Sequence, residues 1–129
     1  MFLYLETNYY LCAEKIPNMA ARFDFIMLDE AKEFVFGLPF AAMKKVLYNI
    51  KRVAEGERNA ELFKKLEGSD IWEFRTLYSG IQYRLFAFWD TRANTLVIVT
   101  HGIIKKRQKT PAKEIAKAEK IRQEYLNEK

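Results

Sequence analysis

Three strand-like segments, Ile71 to Tyr78, Ile81 to Trp89 and Thr95 to His101, follow one another with links of only a few residues. Parallel neighbours need a crossover of a dozen residues or more, so these segments can pair only as an antiparallel meander. Ser79-Gly80 supplies the first turn and Thr91 to Asn94 the second. Upstream, Phe23 to Leu28 reads as a further strand, and Asp29 is placed to cap a helix over Glu30 to Phe36 that Gly37 ends. Pro39 opens a second helix, in which Phe40, Met43, Leu47, Ile50 and Ala54, with Val46 and Val53 beside them, recur at helical spacing until Gly56. Downstream, Thr110-Pro111 reads as the N-cap and first position of a last helix, with Ile115, Ala118, Ile121 and Tyr125 on its apolar side. The expected class is α+β.

With 129 residues, half of them apolar, the chain can build one core but not two, and no repeat or long Gly/Ser/Pro linker divides it. The expected organisation is a single domain over residues 21–129, preceded by an N-terminal extension, residues 1–20, that could form an extra strand or helix covering a sheet edge. Cys12 is the only cysteine, which excludes an internal disulfide, a thiolate zinc site and a redox pair and fits a reducing compartment. The start lacks the basic leader of a secretory signal. The longest apolar run, Phe34 to Met43, falls well short of the ~20 residues of a spanning helix. A soluble, cytoplasmic protein without a membrane partner is expected.

The formal charge of +5 is unevenly spread. Residues 1–100 hold 13 Lys/Arg and 13 Asp/Glu, whereas His101 to Lys129 holds 9 Lys/Arg against 4 Glu. A basic end of this kind suits a polyanion or an acidic protein partner, or is a solvated tail. Lys44, Lys45, Lys51 and Arg52, opposite the apolar side of the second helix, read as a solvated face.

Register turns the meander into a candidate site, because directly opposed residues project from the same face of a sheet. A turn at Ser79-Gly80 places Arg75 across from Arg84, and a loop at Thr91 to Asn94 places His101 across from Arg84. Arg75, Arg84 and His101 then form a row over three strands, with Glu73 one step from Arg75 on the same face. Two adjacent guanidinium groups repel unless a carboxylate or an anion lies between them, and their forks match phosphate oxygens. The plainer reading is a pair of exposed strand arginines, one bridged to Glu73, worth ~0 to 1 kcal/mol. His101 supplies an imidazole that titrates near neutrality. Lys105, Lys106, Arg107 and Lys109 follow in the connection to the last helix, beside the same edge, while alternation puts Trp72, Phe74 and Tyr78 on the face opposite Arg75.

Lys65-Leu66-Glu67-Gly68, Trp72-Glu73-Phe74-Arg75, Tyr83-Arg84, His101-Gly102, Lys105-Lys106 and Thr110-Pro111, followed by Glu114-Ile115 and Ala118, stand in the order typical of HigB-like toxins. The chain therefore resembles the RelE/ParE toxin superfamily, in its HigB-like, phage-derived Gp49-like branch, from about Phe23 to Leu126. The resemblance implies two N-terminal helices packed on a curved, mainly antiparallel sheet with a C-terminal helix. It implies no metal and no cofactor. The implied partners are a cognate helix-turn-helix antitoxin (HigA-like), the ribosome and mRNA. The implied activity is cleavage of mRNA on the ribosome, the RNA 2′-hydroxyl attacking its adjacent phosphate. Arg75 and Arg84 would then bind the phosphate, His101 or Glu73 would exchange protons, and Lys65, Lys105, Lys106, Arg107 and Lys109 would hold flanking RNA. Some relatives carry lysine at the place of Glu73, and a tyrosine beyond the last strand that has no clear match here. Two other activities fit the same chain: a ParE-like gyrase inhibitor that cuts no RNA, and a non-catalytic RNA-binding module.

Overall fold

The computed structural model describes residues 22–92, 96–105 and 109–128, so the expectations for residues 1–20 and for Lys106 and Arg107 lie outside the described residues. The element order is β1 (Asp24–Met27), α1 (Asp29–Phe36), α2 (Phe40–Ala54), β2 (Phe63–Lys65), β3 (Trp72–Tyr78), β4 (Ile81–Trp89), β5 (Leu96–Lys105) and α3 (Ala112–Asn127). Among the described residues this is an α+β fold with three helices and one five-stranded mixed sheet in the order β1-β5-β4-β3-β2.

The expected meander forms the centre of the sheet. Ser79 and Gly80 both adopt positive φ, 51° and 78°, the backbone whose twist matches that of the strands a two-residue hairpin joins. Its register is the expected one, with Arg75 opposite Arg84. Two strands flank the meander. β1 pairs in parallel with β5 from Asp24↔Leu96 to Met27↔Val99, a connection made possible by the intervening helices and strands. β2, which is not among the expected elements, pairs antiparallel with β3; Phe63, its one apolar residue, stacks on Phe74 and Trp72 at 4.3 and 4.7 Å between ring centroids.

Strand alternation gives the sheet two different faces. One carries Phe74, Tyr83, Leu85, Ala87, Val97 and Val99 against α1 and α2. The other carries Phe86, Phe88 and Ile98, covered in part by α3 through Ala118, Ile115 and Tyr125. Burying Phe86 and Phe88 completely contributes roughly 1.5–3 kcal/mol each. The buried face of α2 is turned from the expected one: Ala42, Val46, Ile50 and Val53 line the core, and Phe40 is 69% exposed. Phe40 is the first helical residue after Pro39, before the helix has settled over the sheet. The expected caps also differ. Asp29 is the first residue of α1 rather than its cap, and Pro111 is the N-cap of α3, which frees the Thr110 side chain for another partner. No helix of the described residues is long and apolar enough to cross a membrane.

β5 departs from the expected strand in two ways. Trp89 pairs with Val97, one residue later than a Thr91 to Asn94 loop requires, and a bulge at Thr100 moves the pairing again, so that Ala87 faces Val99 but Phe86 faces His101. Each one-residue slip alone would turn His101 to the other face. Together they restore its face and displace it along the strand: Ile103, not His101, lies opposite Arg84. The strand also runs on to Lys105, four residues past the expected end.

Candidate functional site

The face of the sheet that carries α3 holds a cluster of charge at its β3–β4 side. Alternation from Phe74 and Leu85, which enter the core, turns Glu73, Arg75 and Arg84 the other way. Glu73 is 1% exposed and Arg84 5% exposed. The Glu73 carboxylate stands between the two guanidinium groups, with Oε1 3.5 Å from Nε of Arg75 and 3.5 Å from Nε of Arg84. Its Oε2 accepts a 2.7 Å hydrogen bond from the Thr110 hydroxyl. The side chain expected to cap α3 therefore ties the start of that helix to the site instead.

Lys105, opposite Gln82 at the end of β5, joins this cluster on the same face and is 8% exposed. Lys64 enters from β2, directly across from Glu73. Burial depresses the Arg84 pKa, with Arg75 lowering it further and Glu73 opposing. Burial likewise depresses Lys105, where Glu73 opposes and Arg84, Arg75 and Lys64 add to the depression. Arg75 and Arg84, with Lys105 beside them, thus surround one carboxylate in a partly dehydrated setting, and positive charge exceeds negative.

The guanidinium groups are only partly satisfied. Arg75 donates from Nη1 to the Ala60 carbonyl at 3.2 Å. Arg84 donates from Nη2 to Gln82 Oε1 and from Nη1 to the Tyr83 carbonyl at 3.4 Å. The Nε–H of each is buried and makes no hydrogen bond among the described residues. A buried donor without an acceptor costs on the order of 1–3 kcal/mol, more on a charged group. An anion seated here would relieve both the charge excess and these two donors, and the planar fork of arginine suits phosphate oxygens.

His101 does not belong to this arrangement. It lies opposite Phe86, whose ring stacks on the imidazole at 4.9 Å between centroids. Phe86 also lies opposite Glu73 on the other side, so it stands between the two in the row. The imidazole is 1% exposed, with Nδ1 2.8 Å from Thr100 Oγ1 and Nε2 3.0 Å from Glu114 Oε1 on α3. Burial depresses its pKa, the Glu114 hydrogen bond opposes, and the Lys117 charge adds to the depression. The neutral imidazole fits this setting, with Nε2–H donating to Glu114 and Nδ1 accepting from the Thr100 hydroxyl. That hydroxyl lies farther, 3.3 Å, from the Phe86 carbonyl. The expected opposition of His101 and Arg84 fails because the later pairing at Trp89 and the bulge at Thr100 together displace His101 along the strand, and α3 closes over the imidazole.

The other expected RNA contacts divide. Lys65 lies opposite Trp72, on the face away from Glu73, and its ammonium donates to the Ser69 carbonyl. Lys64, which no sequence motif singles out, takes the site-facing position. Only the pairing of β2 with β3 reveals it, and that strand carries a single apolar residue as its signal. Lys105 lies in the strand rather than in the connection, and Lys109 is exposed just before Thr110.

The family model described as phage-derived protein Gp49-like matches residues 33–123, which takes in both arginines, Glu73, Lys105 and most of α3. No curated protein matches the chain.

Proposed function

The chain belongs to the Gp49-like family of phage-derived proteins, the RelE/HigB-like toxin family, and from that premise we propose that it is the toxin of a type II toxin–antitoxin pair that cleaves mRNA on the ribosome. A family of toxins carries with it an antitoxin partner in general; a helix-turn-helix antitoxin, the ribosome and mRNA as partners, and a cytoplasmic place of action, are part of this proposal. The observation that carries it is a pair of guanidinium groups on neighbouring strands, Arg84 buried and Arg75 half-buried, each with a buried Nε–H that no described acceptor meets. A phosphodiester seated against both guanidinium groups, beside Glu73, offers further acceptors and the missing negative charge.

The chemistry follows from what an RNA phosphodiester supplies. Its 2′-hydroxyl is the nucleophile; the 2′-oxygen bonds to phosphorus, the bond to the 5′-oxygen breaks, and a cyclic phosphate and a 5′-hydroxyl result. Negative charge grows on the phosphoryl oxygens as the fifth bond forms, and fixed donors aimed at it in a dry site typically supply 10²–10³-fold each. Arg75 and Arg84 are those donors. Glu73, fixed by Thr110, holds their Nε atoms on one side of the cluster, and Lys64 and Lys109 hold flanking phosphates. His101, enclosed under α3, keeps the helix in place through Glu114.

The test is expression of residues 1–129 from an inducible promoter, wild type against Arg84→Ala, with mapping of new 5′ ends on cellular messages. New ends within minutes in the wild type, and none with the variant, are expected. Growth arrest with intact messages and DNA-damage signalling would instead favour gyrase inhibition, and binding to RNA without new ends would favour a non-catalytic module.

A further inference from the structure

We infer that Lys105, in its neutral form, is the base that takes the proton from the attacking 2′-hydroxyl. The inference rests on the RNA-cleaving reading and adds to it the group that the sequence reading assigned to His101 or Glu73. Both of those are engaged elsewhere. The imidazole of His101 is enclosed, with each ring nitrogen partnered and Phe86 lying between it and Glu73. Both oxygens of Glu73 are taken, Oε2 by Thr110 and Oε1 by the two guanidinium groups.

Of the three cations in the cluster only one can give up its proton. A guanidinium remains protonated at any pH a protein survives, whereas an ammonium is readily deprotonated once burial and neighbouring cations make its charge costly. Lys105 meets both conditions. It is almost fully buried at the end of β5, on the face of Arg84 and one step along from the residue opposite it, and it makes no hydrogen bond to a described residue that would hold it as a cation. The depression of its pKa, first by burial and then by Arg84, Arg75 and Lys64, has the required direction.

In the step itself the Lys105 amine accepts the 2′-proton while the 2′-oxygen electron pair forms the bond to phosphorus. The electrons of the bond to the 5′-oxygen leave with that oxygen, which takes a proton from water. Lys105 ends as an ammonium beside the cyclic phosphate, and loses its proton to solvent when product leaves.

The experiment is single-turnover cleavage of an mRNA on bacterial ribosomes as a function of pH, with the full chain, comparing wild type, Lys105→Arg, Lys105→Ala and Arg84→Ala. Circular dichroism and thermal unfolding check that each variant folds. General-base catalysis contributes on the order of 10²–10⁴-fold, so Lys105→Arg, which is a permanent cation and cannot deprotonate, should lose as much as Lys105→Ala. The wild-type rate should rise with pH to a plateau while both Lys105 variants lack that rise, and added methylamine should restore part of the rate of Lys105→Ala. A Lys105→Arg variant within about threefold of wild type, with Arg84→Ala inactive, would leave the anion site standing and overturn the assignment of the base. Full cleavage by Arg84→Ala as well would overturn the reading of the site on which it rests.

Discussion

Replacing Glu73 by glutamine removes the carboxylate charge that pairs with both Arg75 and Arg84 while keeping the shape of the side chain. Each guanidinium Nε lies 3.5 Å from Glu73 Oε1; at an effective dielectric of about 20 this corresponds to about 5 kcal/mol of gross attraction per pair. Desolvation of the ions consumes much of that, and removing one partner of a buried pair typically costs about 3–5 kcal/mol net. Arg75 is 26% exposed at its side chain, which puts the expected loss at the lower end, about 3 kcal/mol. At roughly 4 °C per kcal/mol for a chain of this size, Tm should fall by about 12 °C. The carboxamide oxygen can still accept from Thr110, so the cost isolates charge rather than that hydrogen bond. The same substitution leaves the cluster with one more uncompensated charge, so inorganic phosphate should stabilise the variant more than the wild type, through binding linkage. Thermal unfolding in phosphate and in sodium chloride of equal ionic strength separates the specific effect from screening. Glu73→Gln within about 0.5 kcal/mol of wild type, with no added response to phosphate, would refute the claim that the cluster is short of negative charge.

Thr110→Val leaves Glu73 Oε2 without its donor and should cost about 1–3 kcal/mol in urea unfolding, with Thr110→Ser restoring most of it. His101 is held below its usual pKa chiefly by burial. The unfolded chain therefore takes up a proton at pH values where the folded chain does not, so this contribution to stability is complete above about pH 6.5 and is lost as pH falls from there toward the folded-state pKa. His101→Gln should flatten the slope of stability between about pH 6.5 and 5, measured by denaturant titration at each pH. Gly102→Ala places a methyl 2.4 Å from Phe34 Cδ2 and 2.7 Å from Leu85 Cδ2; the forced repacking should cost about 1–3 kcal/mol. Glu57→Gln, which breaks an exposed pair with Arg52, should leave the unfolding midpoint close to that of the wild type in the same assay.

The Arg75–Arg84 pair is legible from the sequence because a two-residue turn leaves no freedom: once Ser79 and Gly80 take positive φ, every opposed pair in β3 and β4 follows. His101 was not, because a bulge is a local change of pairing with no residue signature of its own. The extra residue here is Thr100, a β-branched residue at home in any strand. Lys105 lies in β5 rather than in the connection because the strand continues through Gly102, where the missing side chain admits the Phe34 ring from α1. The link from Thr110 to Glu73 spans 37 residues and appears only once α3 lies on the sheet. Phe40 fits the helical periodicity of α2 yet faces solvent, since periodicity marks a stripe without stating where along the helix the stripe meets the sheet.

The most direct measurement is the response of the arginine Nε–H signals in 15N–1H correlation spectra, assigned by substitution, during titration with a short RNA whose cleavage-site 2′-hydroxyl is replaced by hydrogen. Shifts confined to Arg75 and Arg84, and reversed by excess inorganic phosphate competing for the same donors, are the expected result. Movement of other arginines with these two unchanged would contradict the phosphodiester seat between β3 and β4.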